Sequence, residues 1–298
     1  MEPFGVPFLF EGATCVDLVR TAIYLEATVK VLKISLAIAV GLYLVALIVF
    51  FVSQRSLLYF PSHSSIPLSE ANANSAFRNF SAQSHDGIAL NAWYAPATTR
   101  QFTIVFFHGN ADSLFTAEHV GDPYIAAGYG FLLAEYRGYS GLRGSPTEAG
   151  LYSDGRAYIR QLIAQGVPSQ NIILFGHSLG TGVATQMAKE FHVAGVMLLA
   201  PYLSIPKLAQ RDFPFFPSEY LALDRFENYK KMKNIHVPVL IVNGSEDQVV
   251  PPSHGNKLYE MANEPREFHS IPNRGHNDAF DDFAPLAIGW MSRECPKN

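Results

Sequence analysis

The segment Phe175-Gly176-His177-Ser178-Leu179-Gly180 constrains this chain more than any other. It holds Gly-x-Ser-x-Gly behind the short apolar run Asn171-Ile172-Ile173-Leu174-Phe175, which reads as a buried parallel strand. Val183, Met187 and Phe191 follow at helical spacing, the mark of a helix packed on that strand's sheet. A serine held between such a strand and helix sits on a sharp turn, its side chain raised above the sheet. Side chains at Gly176 and Gly180 would collide with the neighbouring helix and strand. The expectation is a nucleophile elbow at Ser178.

The rest of the chain supplies the sheet for that elbow. Residues 77–84 and 88–94, joined at His85-Asp86-Gly87, read as an antiparallel hairpin. Further strands are expected at 102–107, 130–135, 194–199, 237–243 and 266–271, with helices at 116–127, 147–165 and 278–291. This alternation predicts an α/β fold, a mostly parallel central sheet with helices on both faces. Chemistry in open sheets of this kind gathers at the C-terminal ends of the strands.

A serine hydroxyl is a poor nucleophile at neutral pH, so Ser178 needs a base and the base needs an orienting acid. His276, in Asn273-Arg274-Gly275-His276-Asn277-Asp278, follows the last strand and so shares the elbow's edge of the sheet. Asp247 follows the strand before it, with Val249-Val250-Pro251-Pro252 positioned to hold its loop; Glu246 and Asp278 are the competing carboxylates. The order Ser178, Asp247, His276 suits this kind of sheet. Phe107-His108-Gly109-Asn110-Ala111 follows another strand, where Gly109 would allow a tight turn. The N–H groups of Asn110 and Leu179 are the expected oxyanion-hole donors. Arg137, in Tyr136-Arg137-Gly138-Tyr139, reads as an internal ion pair rather than a substrate clamp. The glycines at 138–144 lack the Gly-Lys-Ser/Thr of a phosphate loop, and no cofactor or metal site is expected.

The run 34–52, ISLAIAVGLYLVALIVFFV, carries no charge and is long enough to cross a bilayer as a helix. The expected organisation is an N-terminal segment 1–33, a transmembrane helix 34–52, a connector 53–76 and a catalytic domain 77–298 with a short insertion near 200–236. Arg20, Lys30 and Lys33 precede the span, whereas only Arg55 lies close behind it. That asymmetry puts the N-terminus in the cytoplasm and the catalytic domain on the opposite side. Tyr59 and Phe60 are expected near the membrane–water boundary if the domain rests close to the lipid. In this topology Cys15 and Cys295 lie on opposite sides and do not pair. A net charge of −4, with no basic block, argues against nucleic acid. The insertion carries Phe213-Pro214-Phe215-Phe216-Pro217 and Tyr220-Leu221-Ala222-Leu223, read foremost as a loop buried against the core and alternatively as an apolar rim for an acyl chain.

Taken with Leu57-Leu58-Tyr59-Phe60-Pro61 and Leu203-Ser204-Ile205-Pro206, these motifs resemble the α/β-hydrolase superfamily over 57–291. In detail they look like the single-span, membrane-anchored bud-emergence-type serine hydrolases and related α/β-hydrolase domain-containing proteins. The resemblance implies a serine hydrolase of carboxylic esters or thioesters, with lipid or small acyl substrates and Ser178, Asp247 and His276 as its triad. The N-terminal cysteine cluster of palmitoylated relatives is missing, which weakens a specific protein-depalmitoylase assignment. Two other readings stay open: a serine peptidase of the aminopeptidase type, with Glu118, Glu135 or Glu219 holding the amine, and a catalytically silent membrane-bound scaffold. Natural substrate and oligomeric state are not legible.

Overall fold

The computed structural model describes residues 15–61 and 76–295. It divides into two compact units, Met1–Val52 and Ser53–Asn298. Most of the helix α1 (Cys15–Leu58), 44 residues long with none buried, belongs to the first unit. The expected span lies inside it, but the helix begins well before Ile34 and ends after Val52. No glycine or proline interrupts the sequence from Cys15 to Val40, and Glu26 pairs with Lys30 one turn on at 2.8 Å. At about 1.5 Å per residue α1 exceeds the roughly 30 Å hydrocarbon core of a bilayer.

The second unit contains one eight-stranded sheet: β1 (Arg78–Gln83), β2 (Ala89–Ala95), β3 (Thr103–Phe107), β4 (Gly130–Ala134), β5 (Ile172–His177), β6 (Gly195–Leu199), β7 (Val239–Gly244) and β8 (Arg266–Ile271). Their spatial order is β1-β2-β4-β3-β5-β6-β7-β8. The hairpin β1–β2 is antiparallel and β2 meets β4 antiparallel; from β4 to β8 every pairing is parallel. Because side chains alternate across a strand, each buried strand feeds two cores. Val105, Phe107, Ile172 and Leu174 enter one, with helices α2 (Glu148–Ala164) and α3 (Leu179–Glu190). Ile104, Phe106, Ile173 and Phe175 enter the other, with α6 (Phe280–Glu294). Between them come α4 (Ile205–Asp212) and α5 (Pro252–Met261). The α/β class and the covering of both faces are as the alternation predicts.

Three expectations need correction. The helix at 116–127 is instead a 3₁₀ turn at Glu118–Gly121 followed by a short α-helix at Asp122–Ala126. Pro123 has no N–H to continue a helix and suits a first turn, so it restarts the helix rather than extending one. The connector expected at 53–76 begins as helix, since α1 runs on to Leu58. Residues 53–61 belong to the second unit, and Tyr59 is buried in its core, not placed at a membrane boundary; residues 62–75 lie outside those described. The apolar insertion is not buried against the core, since Phe215 and Tyr220 are each 87% exposed and Phe213 and Leu223 about half exposed.

Candidate active site

β5 lies between β3 and β6 in the sheet, and Ser178 is the residue between β5 and α3. Its backbone has φ 48° and ψ −117°, a left-handed strain that a non-glycine residue keeps only where its surroundings hold it. They do so tightly. A Cβ on Gly180 would lie 1.9 Å from the carbonyl oxygen of Phe107, and one on Gly176 would lie 2.6 Å from that of Gly180. The Ser178 N–H donates to Leu199 O at 3.0 Å, fixing the elbow to β6. Leu179, next along, opens α3, where N–H groups have no acceptor inside the helix.

Asp247 and His276 come from the loops after β7 and β8, which dock on each other through Ser245 N to Ile271 O and Glu246 N to Arg274 O, both 2.8 Å. Asp247 is buried, and its Oδ1 accepts the N–H groups of Val249 and Val250, each at 2.8 Å. Its Oδ2 lies 2.7 Å from His276 Nδ1, and His276 Nε2 lies 2.8 Å from Ser178 Oγ. An ionised carboxylate only accepts, so the imidazole proton belongs on Nδ1 and leaves Nε2 to accept from the serine hydroxyl. The competing carboxylates are not part of this line. Glu246 is exposed, and exposed Asp278 accepts the N–H of Gly275 at 2.7 Å.

Three further side chains support the site in roles that nothing in the sequence assigns to them. His177 reaches across to donate from Nε2 to the carbonyl of His276 at 3.2 Å. Burial, helped by the neighbouring His276, pushes its pKa down to about 3 and keeps the ring neutral. The ring also packs where a Cβ on Gly109 would be, 2.8 Å from His177 Nδ1. Gly109 is therefore needed for close approach rather than for a tight turn; the positive φ falls on Ala111, at 62°. Fully buried His108 faces Glu135 Oε1 at 2.7 Å and Gly109 O at 2.8 Å, so both ring nitrogens meet acceptors. Burial opposes the His108 charge most strongly, but Glu135, Asp112 and the Gly109 carbonyl together outweigh it and raise the pKa. Glu135 also accepts the N–H groups of Leu114 and Tyr136, tying the loops after β3 and β4 together.

Asn110 uses its side chain as a staple. Nδ2 donates to Leu58 O at 2.6 Å, while Oδ1 accepts from Phe60 N and Tyr139 Oη, both at 2.9 Å. Arg137 makes the internal ion pairs that were expected, with Asp154 at 2.7 Å and Asp86 at 2.6 Å. Among the described residues no group of three His, Cys, Asp or Glu side chains is arranged to hold a metal ion.

A family model described as "Serine aminopeptidase, S33" matches residues 98–223. An uncharacterized protein of Mycobacterium tuberculosis is 33% identical over 228 residues, covering 76% of this chain and 81% of that protein. The human alpha/beta hydrolase domain-containing protein 17B is 34% identical over 183 residues, 60% of this chain and 61% of its own length. Among solved structures, an esterase of Pyrococcus furiosus superposes with a TM-score of 0.66 at 17% identity, covering 80% of this chain and all of that one. A monoacylglycerol lipase of Paleococcus ferrophilus gives 0.53 at 18% identity, over 68% of this chain and 98% of its own. At such identities the structural likeness establishes the fold alone.

Proposed function

Because the chain belongs to the α/β-hydrolase superfamily, we propose that it is a membrane-anchored serine hydrolase cleaving carboxylic esters or thioesters of lipid or acyl substrates. The observation that supports this reading is the unbroken hydrogen-bonded line Asp247–His276–Ser178 at the elbow. Ser178 Oγ attacks the substrate carbonyl while its proton passes to His276 Nε2. Asp247 stabilises the imidazolium, and the N–H groups of Asn110 and Leu179 receive the charge developing on the carbonyl oxygen. The tetrahedral adduct collapses to an acyl-enzyme as His276 gives the proton to the leaving oxygen or sulfur. Water then enters, His276 takes its proton, and the acid leaves with Ser178 restored.

The anchor in this reading is the apolar stretch 34–52 of α1, which is long and apolar enough to cross a bilayer. The N-terminus would be cytoplasmic and the hydrolase domain, 77–298, on the opposite side. An aminopeptidase would need a free carboxylate for the substrate amine. Glu135 is spent on His108, and Glu219 on Lys207 and Arg225; half-buried Glu118, in the 3₁₀ turn Glu118–Gly121, is the candidate that remains for that reading.

The test uses the full-length protein in detergent, with p-nitrophenyl esters of increasing acyl length beside an amino-acid anilide and a fluorophosphonate probe. A burst and probe labelling that both vanish in Ser178→Ala are expected, with an optimum in acyl length. Anilide turnover without ester turnover would transfer the assignment to a peptidase. No Ser178-dependent reaction at all would leave a silent scaffold.

A further inference from the structure

The insertion after β6 exposes four large apolar side chains within eleven residues: Phe213, Phe215, Tyr220 and Leu223. Apolar exposure this concentrated marks surfaces that meet a partner, a ligand or a membrane. Leu223 N donates to Gln54 Oε1 at 2.7 Å, and Gln54 Nε2 donates to Leu221 O at 3.3 Å. One residue on, Arg55 Nε pairs with the buried carboxylate of Asp224 at 2.8 Å. Gln54 lies two residues beyond Val52, the last residue of the uncharged run. Two residues of chain reach at most about 7 Å in any direction, and the headgroup layer on each face of a bilayer is about 5–8 Å deep. A loop hydrogen-bonded to Gln54 therefore sits at headgroup depth. Aromatic side chains with one polar edge are the residues that partition there.

The charges around the loop select the kind of surface. Lys207 pairs with Glu219, Arg211 with Asp212, and Arg225 with Glu227. Each cation is matched locally, so the segment presents no net positive face to attract anionic lipid. The segment also adjoins the site: Arg211 Nη1, two residues before Phe213, donates to Gln248 O at 3.4 Å, one residue past Asp247.

We propose that 213–223 is an interfacial docking segment that rests in the headgroup and upper acyl region of an uncharged bilayer, so that the site faces lipid-borne substrate. This rests on the reading of 34–52 as a membrane anchor. The full-length Tyr220→Trp protein, reconstituted in phosphatidylcholine vesicles, tests it. Trp93 and Trp290 are buried, so the difference from wild type reports the new indole. The expected result is co-flotation with the vesicles and quenching of the added fluorescence by lipids brominated high on the acyl chain, independent of salt. Flotation with quenching by iodide alone would overturn the docking and spare the anchor. Shielding from both quenchers that is lost on dilution would assign the surface to a second copy of the chain. Failure to float would overturn the anchor and the docking together. As a second readout, Phe215→Ser with Tyr220→Ser is expected to lower turnover of vesicle-borne esters about tenfold and leave a soluble short-chain ester unchanged. An equal loss on both substrates would refute the proposal independently of the fluorescence.

Discussion

Replacing one carboxylate oxygen of Asp247 by an amide nitrogen, Asp247→Asn, isolates its proposed orienting function without removing the contacts that hold its loop. Asp247 Oδ1 accepts two backbone N–H groups at 2.8 Å, from Val249 and Val250. The asparagine carbonyl must keep that position, because its NH₂ there would face two donors. The NH₂ then points at His276 Nδ1, which in turn can only accept. The imidazole proton moves to Nε2, where at 2.8 Å it donates to Ser178 Oγ instead of receiving its proton. A base in the wrong tautomer costs about 10⁴ in kcat, or about 5.5 kcal/mol of transition-state stabilisation. Folding should lose only about 1–2 kcal/mol, since every hydrogen bond survives in neutral form. Burst kinetics on a p-nitrophenyl ester should show the loss in kcat with KM nearly unchanged, and fluorophosphonate labelling should slow in parallel. A thermal melt should stay close to wild type. Glu246→Gln and Asp278→Asn, acting on an exposed side chain and on the Gly275 turn, are expected to stay near wild-type activity. The reasoning fails if Asp247→Asn keeps more than about a tenth of the activity, or if Asp278→Asn costs as much.

Gly180→Ala would put a methyl group 1.9 Å from Phe107 O; α3 must then move off β3, and we expect a loss of at least about 3 kcal/mol in denaturant unfolding together with loss of probe labelling. Arg137→Met leaves the Asp154 carboxylate, wholly buried as a side chain, without its cation, and a loss of about 3–5 kcal/mol in urea unfolding is expected. His177 gives a pH signature. Its folded pKa of about 3 lies below the unfolded value of about 6.5. Between these limits the unfolded chain binds the extra proton, so stability falls as pH falls, by up to about 1.4 kcal/mol per pH unit. His177→Gln removes that component, and its stability-versus-pH curve should be flatter than wild type from about pH 6 to 4.5; parallel curves would show that His177 is not the group that resists protonation.

The elements that were legible in the sequence are those set by local sterics. The alternation of Ile172, Ile173, Leu174 and Phe175 between two cores marks β5, and the glycines at 176 and 180 mark the places where α3 and β3 press on the elbow. Local sterics also account for the break at 116–127, where Pro123 has no N–H to continue a helix and instead starts a new one at Asp122. Other features were decided by contacts between residues far apart in the chain. Asp247, Glu246 and Asp278 are equivalent as loop carboxylates until two loops dock and bury one of them. His108 and Glu135 become an ion pair because β3 and β4 are neighbours, and Asn110 acquires its staple because Leu58 and Phe60 return to that edge of the sheet. Nothing in the spacing of 213–223 says whether its aromatic residues turn inward or outward. A short-range pattern records which conformations a segment prefers, whereas burial and charge pairing depend on the surfaces brought against it, and those exist only once the chain has folded.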